Sequence, residues 1–379
     1  MKPEKFGFGL MRLPLKDETK FESVDTEQLK EMVDLFMEKG YNYFDTAYPY
    51  HLGKSEEAIK ETLVKRSPRD KFILADKLPL FSIEKEEDME RIFNEQIERC
   101  GVEYFDYYLL HNLSNWTKKA YTEIDSFAFA RKLKEEGKIK HLGISFHDNA
   151  KLLDEILTQH PEIEVVQLQI NYLDWENKSI QSKECYEICK KHKKPIIVME
   201  PLKGGTLINI PEDAKNKLKE NNQQSPISWS FRFLEGLDNI LTILCGVSNL
   251  KQMEEDIKIM DEIQALNENE LNTIKEVINI INSQIAIPCT SCNYCVEICP
   301  QKIPIPTYFT LYNDQKQMGW EQFSAQQIYY RTYALKDEYG MASDCIKCGD
   351  CIRKCPQHIN IPSHLDDVYE ELEKTMNDF

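Results

Sequence analysis

No apolar run in this 379-residue sequence approaches the roughly 20 residues that a membrane-spanning helix needs. The opening stretch MKPEKFGFGLMRLPL lacks the charged-then-apolar pattern of a secretory signal, so the expected setting is cytoplasmic. Positive charge is in deficit too. With 47 Lys and Arg against 64 Asp and Glu, the formal net charge of −17 repels nucleic acid and anionic membranes. A small molecule or a basic protein is the partner that fits. Low-complexity linkers are absent, and a hydrophobic content of 41% excludes general disorder.

Cysteine is sparse through the first three quarters of the chain and dense after it: eight of the twelve fall between 289 and 355. A disulfide scaffold suits a short exported chain. Here the distribution argues for metal ligation in a reducing compartment. Cys100, Cys185, Cys189 and Cys245 lie in helix or strand patterns and read as small hydrophobes.

Eight short apolar runs recur from the N-terminus: FGFGLMRL, YNYF, KFILADK, YFDYYLL, IKHLGIS, EVVQLQI, PIIVME and LTILCGV. Amphipathic stretches such as DTEQLKEMVDLFMEKG and EEDMERIFNEQIERCG separate them, with apolar residues at three- and four-residue spacing. Eight strand-helix units at this period predict an α/β fold, a closed (β/α)8 barrel over residues 1–285. Near 285 the composition turns to Cys and Pro, which predicts a second, small and mostly helical domain over 286–379.

In such a barrel the working residues sit at the C-terminal ends of strands. That rule selects Asp45 and Tyr50 after YNYF, Lys77 after FILAD, and His111 after YFDYYLL. A phenol has a pKa of about 10 and needs a nearby cation to give up a proton near neutrality. Lys77 supplies the cation and Asp45 holds it charged and aimed. Neutral His111 hydrogen-bonds the carbonyl oxygen that Tyr50 protonates. His51 and His147 stand by the same loops, either touching substrate or lying on the surface.

The segments FDTAYPY, ADKLP and YYLLHN, taken in order and at strand ends, resemble the tetrad motifs of the aldo/keto reductases, and the resemblance covers residues 1 to about 265. It implies hydride transfer from a reduced nicotinamide to an aldehyde or ketone, with Tyr50 as general acid. By the same resemblance Ser145 in LGISFHD and Gln167 in VVQLQIN contact the nicotinamide amide. The adenosine phosphate end falls to LCGVSNLKQMEED, with Gly246, Ser248, Asn249, Gln252, Glu255 and Asp256. There are three departures from the family pattern. Phe146 stands where an Asn often follows the serine, Met199 stands where an aromatic often stacks on the nicotinamide, and Lys251 alone remains of the basic residues that grip a 2′-phosphate. NAD(P)H is the implied cofactor, with weak or no preference for the NADP form.

The tail carries CTSCNYCVEICP and CIKCGDCIRKCP, two complete C-x2-C-x2-C-x3-C-P sets: Cys289, Cys292, Cys295 and Cys299, then Cys345, Cys348, Cys351 and Cys355. This resembles an α-helical dicluster ferredoxin, in which the fourth Cys of each run ligates the other cluster. The resemblance implies two 4Fe-4S clusters, one on Cys289, Cys292, Cys295 and Cys355, the other on Cys345, Cys348, Cys351 and Cys299. Zinc is the simpler alternative, but a tetrahedral site pairs two C-x2-C knuckles and leaves the third cysteine unused.

A nicotinamide delivers two electrons together and each cluster carries one, yet no flavin signature is visible to convert between them. Three readings stay open: a reductase of small carbonyls or alcohols with structural or regulatory clusters, a reductase wired to a one-electron redox protein, and an electron-transfer protein whose barrel does not bind nicotinamide.

Overall fold

The computed structural model describes residues 1–177, 180–283, 286–289, 293–318, 325–334, 338–355 and 357–374. Each of the eight apolar runs forms one strand: β1 (Phe6–Gly9), β2 (Tyr43–Asp45), β3 (Ile73–Pro79), β4 (Phe105–Leu113), β5 (Ile139–Phe146), β6 (Val165–Gln169), β7 (Ile196–Met199) and β8 (Ile240–Cys245). Consecutive strands pair in parallel and β8 returns to β1, closing the barrel.

The amphipathic stretches become the helices outside it. In Thr26–Glu38 the periodic Leu29, Met32, Val33 and Phe36 are the buried face, and the Asp25 carboxylate accepts from the Glu27 and Gln28 N–H groups at its start. Glu86–Cys100 ends on Gly101 at φ 68°, the left-handed position that glycine occupies without strain.

Side chains alternate along a strand, so residues two apart share a face. Tyr43, Ala75, Leu109 and Val165 pack in one buried cluster inside the barrel. Gly143 lets that layer close, because a Cβ there would stand 2.4 Å from Leu109 Cδ2 and 2.6 Å from Val165 Cγ1. Two residues further along the same inward rows come Asp45, Lys77, His111 and Gln167. The apolar layer is thus the floor of a polar site at the strands' C-terminal ends.

By spatial proximity the chain divides into two compact units, Met1–Leu202 with Gln224–Leu271, and Lys203–Gln223 with Asn272–Phe379. All eight strands lie in the first. The second also takes in the segment that follows β7, including the helix Glu212–Asn221. It is helical, with Ile305–Met318, Ala325–Ala334 and Ile361–Val368 around a core that includes Tyr308, Phe309, Tyr330 and Leu365. Within it the Asn313 amide bonds both the N–H and the C=O of Ile287 at 2.8 Å, tying down the strand of chain that leads into Cys289. The buried Lys203 ammonium pairs with Asp314 at 3.0 Å. Among the described residues no helix is long and apolar enough to cross a membrane.

Candidate functional site

Lys77 is fully buried on the inner face of β3, and its ammonium has three hydrogens to place. They go to Asp45 Oδ1 at 2.5 Å, to the Thr46 carbonyl at 2.7 Å and to the Tyr50 oxygen at 3.3 Å. Asp45 Oδ2 accepts from the Gln167 amide at 3.1 Å. Both carboxylate oxygens therefore accept, which fits an ionised Asp45 beside a charged Lys77. Burial works against charge on Lys77, but Asp45 and then Tyr50 outweigh it and leave the ammonium above its usual range. Burial likewise holds the Tyr50 phenol above 10, with Lys77 the group that pulls it back and Asp45 and Glu200 pushing it up. Because the Tyr50 oxygen accepts from Lys77, its own O–H is left to point elsewhere.

His111 lies across from Tyr50, ring centroids 6.1 Å apart and near perpendicular. A register shift in the β4–β5 pairing between Leu110 and Leu113, with Asn112 at φ 58°, re-aims the strand at this point. Burial first, then Lys77 and His147, keep His111 far below the usual imidazole range, so it is neutral. The Ser145 hydroxyl is buried and meets His147 Nε2 at 3.0 Å. Burial and Lys77 push His147 down to about 4.

Tyr50 opens a turn whose next three residues are left-handed: His51 at φ 51°, Leu52 at 55° and Gly53 at 84°. Such a run costs about 1–2 kcal/mol for each non-glycine residue. The His51 ring offsets it. Nε2 accepts from the Leu13 N–H at 3.1 Å, Nδ1 donates to the Phe21 carbonyl at 2.6 Å, and the ring stacks on Phe21 at 4.3 Å. His51 is fully buried rather than on the surface, and with both ring nitrogens on backbone groups it latches the loop after β1 to the residue beside Tyr50. Burial lowers its pKa. The unfolded chain therefore binds this proton more readily than the folded one, and the latch's contribution is complete above about pH 6.5 and declines as pH falls below it. His51→Phe is expected to cost about 2 kcal/mol at pH 7.5 through the two unpaired backbone groups, and distinctly less at pH 5. Denaturant midpoints of both proteins at the two pH values check this.

At the far end of the barrel mouth, Asn249 caps the helix Leu250–Asp261 by accepting from the Gln252 N–H, and the Gln252 side chain returns to the Ser248 N–H at 2.8 Å. Glu255 is exposed, whereas Asp256 is buried against Cys245 and pushed up to about 7 by desolvation. Arg12 joins this group. Its carbonyl accepts from the Ser248 hydroxyl at 3.0 Å, and its side-chain carbons would touch a Cβ at Gly246 at 3.4 Å. Arg12 sits in an apolar run that reads as strand, but β1 ends at Gly9, which puts Arg12 in the strand-end loop where working residues belong.

In the second unit Cys299, Cys345, Cys348 and Cys351 line one small cavity, and Cys289, Cys295 and Cys355 line another. Cys292 lies outside the described residues. A tetrahedral zinc site at 2.3 Å bonds brings its sulfurs to about 3.8 Å of one another. Among the described residues no three of these thiols come within 4.8 Å of one another, a spread that suits ligands on separate irons of a cluster.

A family model for the aldo/keto reductases matches residues 5–279. The chain belongs to the aldo/keto reductase family. It is an oxidoreductase, and a 4Fe-4S dicluster domain model matches residues 288–360, C-terminal in sequence to the reductase match. The 9,11-endoperoxide prostaglandin H2 reductase of Trypanosoma cruzi is 25% identical over 244 residues, 64% of this chain and 79% of its own. A probable aldo-keto reductase of Glycine max is 24% identical over 312 residues, 73% of this chain and 86% of its own. Among solved structures, the holo form of an aldo-keto reductase from Bacillus halodurans has a TM-score of 0.59 at 22% identity, covering 72% and 91% of the two chains. A Klebsiella pneumoniae aldo-keto reductase in complex with NADPH has a TM-score of 0.57 at 18%, covering 73% and 91%. At these identities the likeness is one of fold. These four matches cover 64–73% of this chain.

Proposed function

We propose that the protein reduces a small carbonyl compound with a reduced nicotinamide, Tyr50 delivering the proton, and that residues 286–379 hold two 4Fe-4S clusters on the crossed ligand sets Cys289, Cys292, Cys295, Cys355 and Cys345, Cys348, Cys351, Cys299. One observation carries the reductase half: the Lys77 ammonium spends its third hydrogen on the Tyr50 oxygen and leaves the phenol proton free for a substrate. Neutral His111 orients the carbonyl oxygen opposite Tyr50. The nicotinamide, when bound, supplies the hydride; carbonyl, hydride and the Tyr50 proton sum to an alcohol and an oxidised nicotinamide. The second half rests on the two cysteine-lined cavities, which sort the thiols as the crossed assignment does. A reducing, cytoplasmic setting belongs to the same reading and is supported by the eleven described cysteines, none of which is in a disulfide.

Ser145 would stand at the nicotinamide end and Gly246, Ser248, Asn249 and Gln252 at the phosphate end, with Arg12 as the cation there. Lys251 is exposed and is the single basic residue of LCGVSNLKQMEED. Dissociation constants for NADH and NADPH are therefore expected to lie within about a hundredfold, some 2.7 kcal/mol. Arg12→Gln should weaken both about tenfold or more, the worth of a hydrogen bond to a charged group. Fluorescence titration reads both effects. Unchanged binding in Arg12→Gln removes Arg12 from the site. Failure of both dinucleotides to bind wild-type protein sinks the reductase reading and leaves an iron–sulfur electron carrier.

A further inference from the structure

On the outer face of β3, between it and the helices Lys54–Ile59 and Glu86–Cys100, lies a polar cluster that the proposed reaction does not use. Asp76, Glu56, Gln96 and Cys100 are all fully buried there. Asp76 precedes Lys77 and faces away from it. β2 has already ended at Asp45, opposite Ala75, so on that side the Lys77 peptide has run past its neighbour strand. Side chains take over. Asp76 Oδ1 accepts from the Lys77 N–H at 2.7 Å, and the Gln96 amide donates both to the Lys77 carbonyl at 3.0 Å and to Asp76 Oδ1 at 2.8 Å. Gln96 Oε1 is filled by the Tyr108 hydroxyl at 2.6 Å.

The other edge of Asp76 is where charge has to be accounted for. Its Oδ2 accepts from the Cys100 thiol at 3.6 Å and faces the Glu56 carboxyl, the three groups lying within 4.8 Å. Glu56 Oε2 takes Arg99 Nη1 at 3.2 Å, while Glu56 Oε1 has no other donor among the described residues. Arg99 also serves Glu95 and lies over the Tyr48 ring. The remaining charged neighbour, Lys77, is committed to Asp45 on the inner face. Two carboxyl groups without solvent thus face a single cation. Burial, their mutual repulsion and the weak thiol donor all favour a neutral member: Asp76 is held well above the carboxylate range and Glu56 at about 7, desolvation being the largest cause for each. A hydrogen bond between two carboxyl groups requires a proton on one of them.

We propose that Asp76 and Glu56 share one proton, and that with Gln96 they form the positioning unit that fixes the Lys77 peptide behind the site. The shared proton lets Asp76 accept on one edge and donate on the other. It also keeps a second buried negative charge from competing with Asp45 for the lysine. The positioning role rests on the reading in which Lys77 serves Tyr50; the proton sharing does not.

The sign follows from linkage. A carboxyl whose folded pKa is raised gives stability that is present below its unfolded value near 4 and is lost as pH rises towards the folded value. Asp76→Asn replaces the shared proton by a permanent N–H donor. Relative to wild type it is expected to gain stability from pH 5 to pH 8, and at pH 8 to unfold at the same or a higher temperature, with kcat for carbonyl reduction within about threefold. Asp76→Leu and Gln96→Met should lower kcat at least tenfold with KM for the dinucleotide unchanged, and amide hydrogen exchange at Lys77 should speed up at least tenfold. Asn costing as much stability as Leu at pH 8, with no pH dependence between them, overturns the shared proton, because it is the outcome for an ionised Asp76. Unchanged Lys77 exchange in Gln96→Met overturns the positioning unit. A wild-type protein that reduces no carbonyl refutes the reductase reading instead, and the exchange and stability arms still decide this one.

Discussion

Tyr50→Phe is expected to lose at least about a hundredfold in carbonyl reduction, the low end for removing a general acid, while keeping its fold and its iron. The variant keeps the ring that faces His111 and the packing of the left-handed turn, so the lost hydroxyl is the only change. Lys77→Met should lose at least as much for a different reason. Burial already holds the Tyr50 phenol above its ordinary range, and Lys77 is the group that draws it down. Without that ammonium the phenol becomes a weaker acid, and Asp45 is left as an unpaired buried charge. The two variants therefore separate in stability: Tyr50→Phe should unfold close to wild type and Lys77→Met clearly below it. Steady-state rates with a panel of aldehydes, alongside thermal unfolding, read both. Carbonyl reduction undiminished in Tyr50→Phe refutes its assignment as acid.

The second large effect concerns iron. Anaerobically purified protein should carry about eight irons per chain, falling to about four in Cys351→Ser. The crossed ligation makes a sharper demand. Cys299→Ser should deplete the same cluster as Cys351→Ser, although 52 positions separate them, while Cys355→Ser should deplete the cluster of its distant partner Cys295. The cavities group these thiols that way, and the helix Ile305–Met318 lies in sequence between the two motifs. Each loss should also lower the stability of the second unit, whose ligand loops have little else to fold around. Iron analysis and low-temperature paramagnetic resonance after dithionite distinguish the pairs. Stoichiometric zinc without iron overturns the cluster assignment. Clusters that no donor reduces would make them structural, and the redox partner would fall with them. If they do exchange electrons, eight basic and thirteen acidic residues give 286–379 a charge of −5, which favours a partner with a basic patch.

What could be read without coordinates is what repeats at short range. Short apolar runs alternating with helical periodicity named all eight strands and placed Asp45, Lys77 and His111 towards their C-terminal ends, and fixed spacing named the eight cysteines. What could not be read depends on backbone conformation or on distant pairings. Nothing in FDTAYPYHLGKSE announces that His51 is left-handed and bonded to Leu13 and Phe21, 38 and 30 residues away. Glu56 sits in a polar helical stretch that reads as solvated face, yet it is wholly buried against Asp76. Arg12 was hidden by an apolar run that continues four residues beyond the end of β1.

The segment Lys203–Gln223 leaves the ribosome before β8 but belongs spatially with the cysteine-bearing unit. Order of synthesis and order of folding cannot then coincide. At about 5–20 residues per second, the roughly 90 residues from Gln223 to Asp314 take about 5–18 s to appear. For that interval Lys203 has no Asp314 to meet, and the segment must wait, unassembled, while the barrel closes on either side of it in the chain. A ribosome paused in this window holds a protein whose reductase barrel can be complete while its second unit lacks most of its length. A truncation at residue 285 would make that interval permanent, leaving the excursion and its buried cation without the helix that receives them.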